Sequence, residues 1–221
     1  MIKDEGALPR VLVDPPWLRA PDESGPAEHA PVVLAGLTPP PDRRFVWAPG
    51  ERETWANVRV YLPPNGGRWK DAVKDYVAGK LTYPPSQAAM FACAPERLVR
   101  PLLPGWHPDV TWDFAHSLQP IVARFAMDVR DNVLPLAKRN PYGTGEALLP
   151  FLDADVARMM ADWLYRLKSA QDLTREWFGR HGATAVPFLV PDALGKARAA
   201  RRNAETALRL IASAAGRDTV V

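Results

Sequence analysis

The stretch that decides the fold is DADVARMMADWLYRL, Asp153 to Leu167. Asp153 reads as a helix N-cap, because a short carboxylate ahead of an apolar-periodic run accepts hydrogen bonds from the first free helical amides. Val156, Met159, Met160, Trp163, Leu164 and Leu167 then recur three and four residues apart. That spacing lines one side of a helix with apolar groups, and such a side must be buried against another layer.

The residues after this helix repeat the pattern. Ser169 and Asp172 stand at a capping-box spacing ahead of a short helix carrying Leu173 and Trp177, which "RHG" (180–182) ends. A proline-interrupted segment, ATAVPFLVPDALG (183–195), follows. Ala197, Ala200, Ala204, Leu208, Ile211 and Ala215 then share a face, with Gly216 placed as a C-terminal cap. Upstream, Trp69, Ala72, Val73, Tyr76, Val77 and Leu81 form another stripe after the turn PPNGG (63–67). Ser86 reads as the cap of the next helix, which Pro95 must end or kink. Ile121, Val122, Phe125, Ala126, Val129 and Val133 make a further stripe, closed by Pro135 and NPYGTG (140–145).

Residues 1–66 differ. Most of the 24 prolines lie in the first half of the chain, and the short β-favouring runs Val11-Leu12-Val13, Val32-Val33-Leu34 and Phe45-Val46-Trp47 are each bounded by Pro, Gly or Asp. The expected fold is therefore mainly α. Irregular HEAT-like helical hairpins, α-solenoid-like, occupy 67–221 behind a small proline-rich, partly β segment at 1–66. Trp17, Trp47 and Trp55 would anchor that segment onto the helices.

Composition excludes several classes. A net charge of +3 on 221 residues gives no global argument for an anionic partner. Cys93 is alone, which excludes an internal disulfide and a multi-cysteine zinc site, and its apolar helix marks it as an inert core thiol. The start, MIKDEGALPR, lacks the apolar core of a secretory signal. No apolar run approaches a membrane span. A cytoplasmic protein without membrane contact is expected.

Three constellations invite chemistry. Asp14-Pro15-Pro16-Trp17 matches the tetrapeptide of adenine amino-group methyltransferases, whose carboxylate and prolyl carbonyl accept from the target amino group while the ring stacks on the base. No glycine-rich cofactor turn or β–α alternation accompanies it, so a stiff corner with a packed Trp17 accounts for it more simply. His107, Asp109, Asp113 and His116 gather two imidazoles and two carboxylates, with Asp113 and His116 one helical turn apart, as metal ligands can be. The plainer account is a capping Asp109 and two surface histidines. Arg198, Arg201, Arg202 and Arg209 form a basic helix suited to phosphates, but Glu205 sits four residues from both Arg201 and Arg209, and no aromatic residue interleaves with the arginines. That argues against a single-strand-binding surface. No catalytic residue, metal or cofactor is expected from these readings.

LPRVLVDPPWLR, PVVLAGLTPP and FVWAPGERETW follow one another in an order that resembles the internal region of large bacterial MolR-like proteins. This is the domain-of-unknown-function 4132 family, often joined to WGR modules. REWFGRHGATAVPFLVPDALGKARAARRNAETALRLIASAAG resembles the HEAT-like part that follows in them. The resemblance implies a piece or short relative of a longer chain, acting as a non-catalytic scaffold or interaction module. Its partner would be another protein or the remainder of the larger chain. It brings no catalytic residues. A molybdate-linked regulatory role goes with the family name, and the WGR association hints at nucleic acid. The methyltransferase and the nucleic-acid-binding helical module remain the two alternatives.

Overall fold

In the computed structural model, residues 32–60, 68–109 and 114–215 are described. The chain falls into two units, Met1–Val32 and Val33–Val221, and the elements below belong to the second. It is mainly helical. A first strand, β1 (Arg44–Phe45), leads to helix α1 (Glu51–Ala56), followed by α2 (Trp69–Val77), α3 (Pro84–Cys93) and the single turn α4 (Glu96–Val99). After a 3-10 stretch come α5 (Ala115–Phe125), α6 (Arg130–Arg139) and α7 (Pro141–Thr144). Strand β2 (Phe151–Leu152) precedes α8 (Ala154–Arg166), α9 (Gln171–His181), α10 (Val186–Ala193) and α11 (Arg198–Ala215). Among the described residues no helix is long and apolar enough to cross a membrane.

The decisive helix forms as its sequence dictates. Asp153 caps α8, accepting from the amides of Asp155 at 2.9 Å and Val156 at 3.1 Å. Val156, Met160 and Trp163 are buried, and Met159, Leu164 and Leu167 pack half-buried against the same core. The Asp153 carboxylate also receives a bidentate bond from Arg130, at 2.9 and 2.7 Å. Arg130 further bonds Asp155 and Asp131. Burial works against the Arg130 charge, yet its bonds to Asp153, Asp155 and Asp131 outweigh that and hold the guanidinium above its usual pKa.

Among the described residues, the β content is a pair of strands from distant parts of the chain. Phe45 pairs antiparallel with Phe151, and Arg44 with Leu152, so β1 lies against a strand from the opposite part of the chain. The Leu149–Phe151 backbone runs through the core, where unpaired carbonyls would be costly. Each carbonyl there has a donor: His181 Nε2 reaches Leu149 O at 2.9 Å, the Val46 amide reaches Pro150 O at 2.8 Å, and Trp177 Nε1 reaches Phe151 O at 3.0 Å. Phe45, Trp47 and Trp55 extend this hub in edge-to-face contacts. Glu51 ties α1 to Arg180 on α9 through two bonds, at 2.7 and 2.8 Å. Trp47 packs against the core and Trp55 is buried within it. Trp17 lies outside the described residues.

Several local expectations are corrected. Val33 and Leu34 form no strand; the Leu34 amide bonds Leu194 O. Ser86 is not a cap, since α3 opens on Pro84 and Pro85, whose fixed φ suits a first turn. Ser169 and Asp172 form no capping box, because a 3-10 turn over Lys168–Ala170 feeds straight into α9. Asp109 is not the cap of α5, which begins at Ala115 behind Phe114. Pro135 sits inside α6 rather than closing it. Val77 is 68% exposed, off the buried side of α2. Cys93 is exposed at the end of α3, not a core thiol, and partial burial pushes its pKa up.

The stripe from Ile121 to Val133 is not one helix. It breaks at Ala126, with φ +48° and ψ −120°, into a four-residue 3-10 turn before α6. The same device joins α9 to α10, where Gly182 has φ +45° and ψ −126° ahead of another four-residue 3-10 turn.

Candidate binding groove

The outward side of α8 is charged at helical spacing: Asp155, Arg158, Asp162 and Arg166 follow one another three or four residues apart. Beside them, a recess of about 530 Å³ opens between α8 and the Leu134–Lys138 turn of α6. Its floor is apolar, made by Leu134, Met159 and the edge of Trp163, and its rim carries Lys138, Asp155, Arg158, Asp162 and Arg166. The volume falls within the range of small-ligand and side-chain pockets. A second recess of about 280 Å³ continues past Arg158 between α8, α10 and α11, lined by Leu189, Asp192, Ala200 and Asn203 among others.

The rim charges are nearly all engaged in ion pairs. Asp155 holds Arg130 at 2.7 Å. Arg158 grips Asp192 with bonds of 2.6 and 3.2 Å. Asp162 takes Arg166 at 2.8 Å and the Asn203 amide at 3.1 Å; its bond raises the Arg166 pKa. Lys138 is exposed and has no ion pair among the described residues. The groove therefore offers an apolar floor with a surplus positive charge at one edge. It can hold an apolar side chain next to a carboxylate.

The residues singled out from sequence fall elsewhere. Asp14, Pro15, Pro16 and Trp17 lie outside the described residues. Of the metal candidates, His107 is exposed, Asp109 pairs with Arg139 at 3.5 Å, and His116 Nδ1 lies 3.3 Å from Gln119 Oε1. Asp113 lies outside the described residues. Among those described, no three His, Cys, Asp or Glu side chains gather where an ion could sit. The basic helix is divided. Arg201 turns back onto Gly195 O, Arg209 pairs with Glu205 at 3.3 Å, and Arg202 stacks over Tyr165 with its guanidinium carbon 4.1 Å from the ring centre. Arg198 is exposed and has no ion pair among the described residues.

Sequence reading placed Met159 and Trp163 in the core and missed that their flank opens onto a groove. The available signal was the polar set 155, 158, 162 and 166, which borders the apolar stripe along one side of α8. Tyr165 was missed because its partner arginine stands on another helix. Among known proteins, no family model, curated protein or solved structure matches this chain.

Proposed function

We propose that this chain is a non-catalytic interaction module and that the α6–α8 groove is where a protein segment docks. The observation that carries the reading is the combination of an apolar floor with one unspent cation, Lys138. An acidic–apolar peptide complements both: an aliphatic or aromatic side chain covers Leu134, Met159 and Trp163 while a neighbouring carboxylate meets Lys138. The segment belongs to another protein or to the remainder of a longer chain, as the resemblance to MolR-like proteins implies. The repeated junction at Ala126 and Gly182 supports HEAT-like stacking of the α5–α6 and α9–α10 pairs, in which helices present their outer sides to partners. The lone cysteine supports a cytoplasmic setting.

Selection of displayed random peptides against the purified chain tests this. Binders are expected to converge on an apolar residue beside Asp or Glu, and Lys138→Glu is expected to weaken them about tenfold or more, about 1.4 kcal/mol. The melt of that variant should match the parent's, because Lys138 makes no ion pair to lose. Selected peptides indifferent to Lys138→Glu, or no convergence at all, would end the proposal.

A further inference from the structure

On the seam between α8 and α11, away from the groove floor, the chain carries cations without an ion pair among the described residues. Lys168 and Lys196 are exposed beside the ends of the two helices, and Arg198 lies one turn before Arg202 on the same side of α11. None of these four forms an ion pair among the described residues. The nearby carboxylates are engaged elsewhere: Asp162 with Arg166, Asp172 with Arg175, Asp192 with Arg158 and Glu205 with Arg209. Amid this surplus stands an exposed aromatic ring. Tyr165 of α8 is 46% exposed, with the Arg202 guanidinium over it at 4.1 Å. The arginines of α11 lack an aromatic neighbour in sequence, and α8 supplies one in space.

We infer that this seam binds single-stranded nucleic acid. Phosphates lie along Lys168, Lys196 and Arg198, and an unpaired base stacks on the Tyr165–Arg202 platform. Cations that track a backbone beside a π surface are the two requirements of sequence-tolerant single-strand binding. A duplex would use the cations alone, since its bases are already stacked on one another. An acidic peptide would likewise leave the ring idle.

Fluorescence anisotropy of the full chain with a labelled mixed-sequence strand of about 15 nucleotides, alone and annealed to its complement, tests this. With three or four phosphates neutralised at a slope of about −0.7 each, raising salt from about 50 to 200 mM should weaken single-strand binding about twenty- to fiftyfold. The Arg198→Gln/Arg202→Gln double variant should lose at least tenfold. Tyr165→Leu should weaken the single strand about five- to a hundredfold, the worth of one stacked base, and leave any duplex binding unchanged. All three substitutions lie on the surface, and unchanged melts would verify intact folding. Lys138→Glu should not matter, which separates this surface from the groove. Salt-independent binding would overturn the inference. So would equal losses on single strand and duplex in Tyr165→Leu, or binding of these variants indistinguishable from the parent. Capture by phosphatidylserine vesicles with no oligonucleotide binding would overturn it in favour of a membrane surface.

Discussion

Replacing His181 with glutamine should flatten the acid limb of the stability curve. His181 is 3% exposed, and its Nε2 lies 2.9 Å from the Leu149 carbonyl, which can only accept, so Nε2 carries the proton. Nδ1 is then a bare acceptor, buried without a partner among the described residues, and Trp177 lies against the ring with centroids 4.5 Å apart. Burial pushes the imidazole pKa down from 6.5 to about 4. The neighbouring Arg180 charge acts in the same direction, while the Leu149 bond and Glu51 oppose it. Between those values the unfolded chain holds a proton that the folded chain refuses. Stability thus rises with pH through this window, and it is lost as pH falls from 6.5 towards 4. A gap of about two and a half pH units corresponds to about 3 kcal/mol.

Glutamine preserves a donor for Leu149 O and does not titrate. Urea unfolding followed by circular dichroism at pH 7 and at pH 4 would give both slopes. The parent is expected to lose about 3 kcal/mol more than His181→Gln across that interval. All other titratable groups are common to both proteins, so their contribution cancels in the difference. The variant's own packing loss shifts its whole curve without tilting it. Parallel losses in the two proteins would refute the assignment of a buried neutral imidazole.

Two further perturbations probe the frame. Asp153→Asn keeps an acceptor at the α8 cap but removes the charge facing Arg130, whose side chain is only 5% exposed; chemical denaturation should register a loss of about 3–5 kcal/mol, and less than about 1 would mean Asp131 and Asp155 suffice. At the paired junctions the signs should oppose. Ala126→Gly relieves a non-glycine residue at φ +48° and should stabilise by about 1 kcal/mol, while Gly182→Ala, which meets no neighbouring atom, should destabilise by about 1–2 through the backbone alone. Thermal melts of both variants decide it; shifts of the same sign would count against a shared conformation.

How legible the molecule was depends on the range of the interaction involved. The Asp153 cap, the α8 face, the stop at Pro95 and the Gly182 terminus rest on residues within a turn of one another, so sequence spacing carries them. Strand β2 does not announce itself, because Phe151 and Leu152 become a strand only through Arg44 and Phe45, far away in the chain. Pro135 and Pro191 stand inside α6 and α10, where the local rule predicted a break. Each replaces one helical amide while the surrounding helix remains packed, an instance of tertiary context overriding propensity. The groove and the Tyr165–Arg202 platform were hidden for the same reason: each takes its members from two helices.

The way ionic groups are divided also separates what folds this chain from what it displays. Arg130 is closed in by Asp131, Asp153 and Asp155, and Arg180 by Glu51, whose Oε2 also accepts from the Ala48 amide at 3.0 Å. Removing one member of such a set strands a buried charge, so these residues belong to stability whatever the chain binds. Among the described residues, Lys138, Lys168, Lys196 and Arg198 form no ion pair. Losing an exposed, unpaired cation costs the fold little, since even paired surface charges contribute about 0–1 kcal/mol. A loss of binding in these variants therefore reports on recognition directly, and the groove and the α8–α11 seam can be tested in a protein that remains folded.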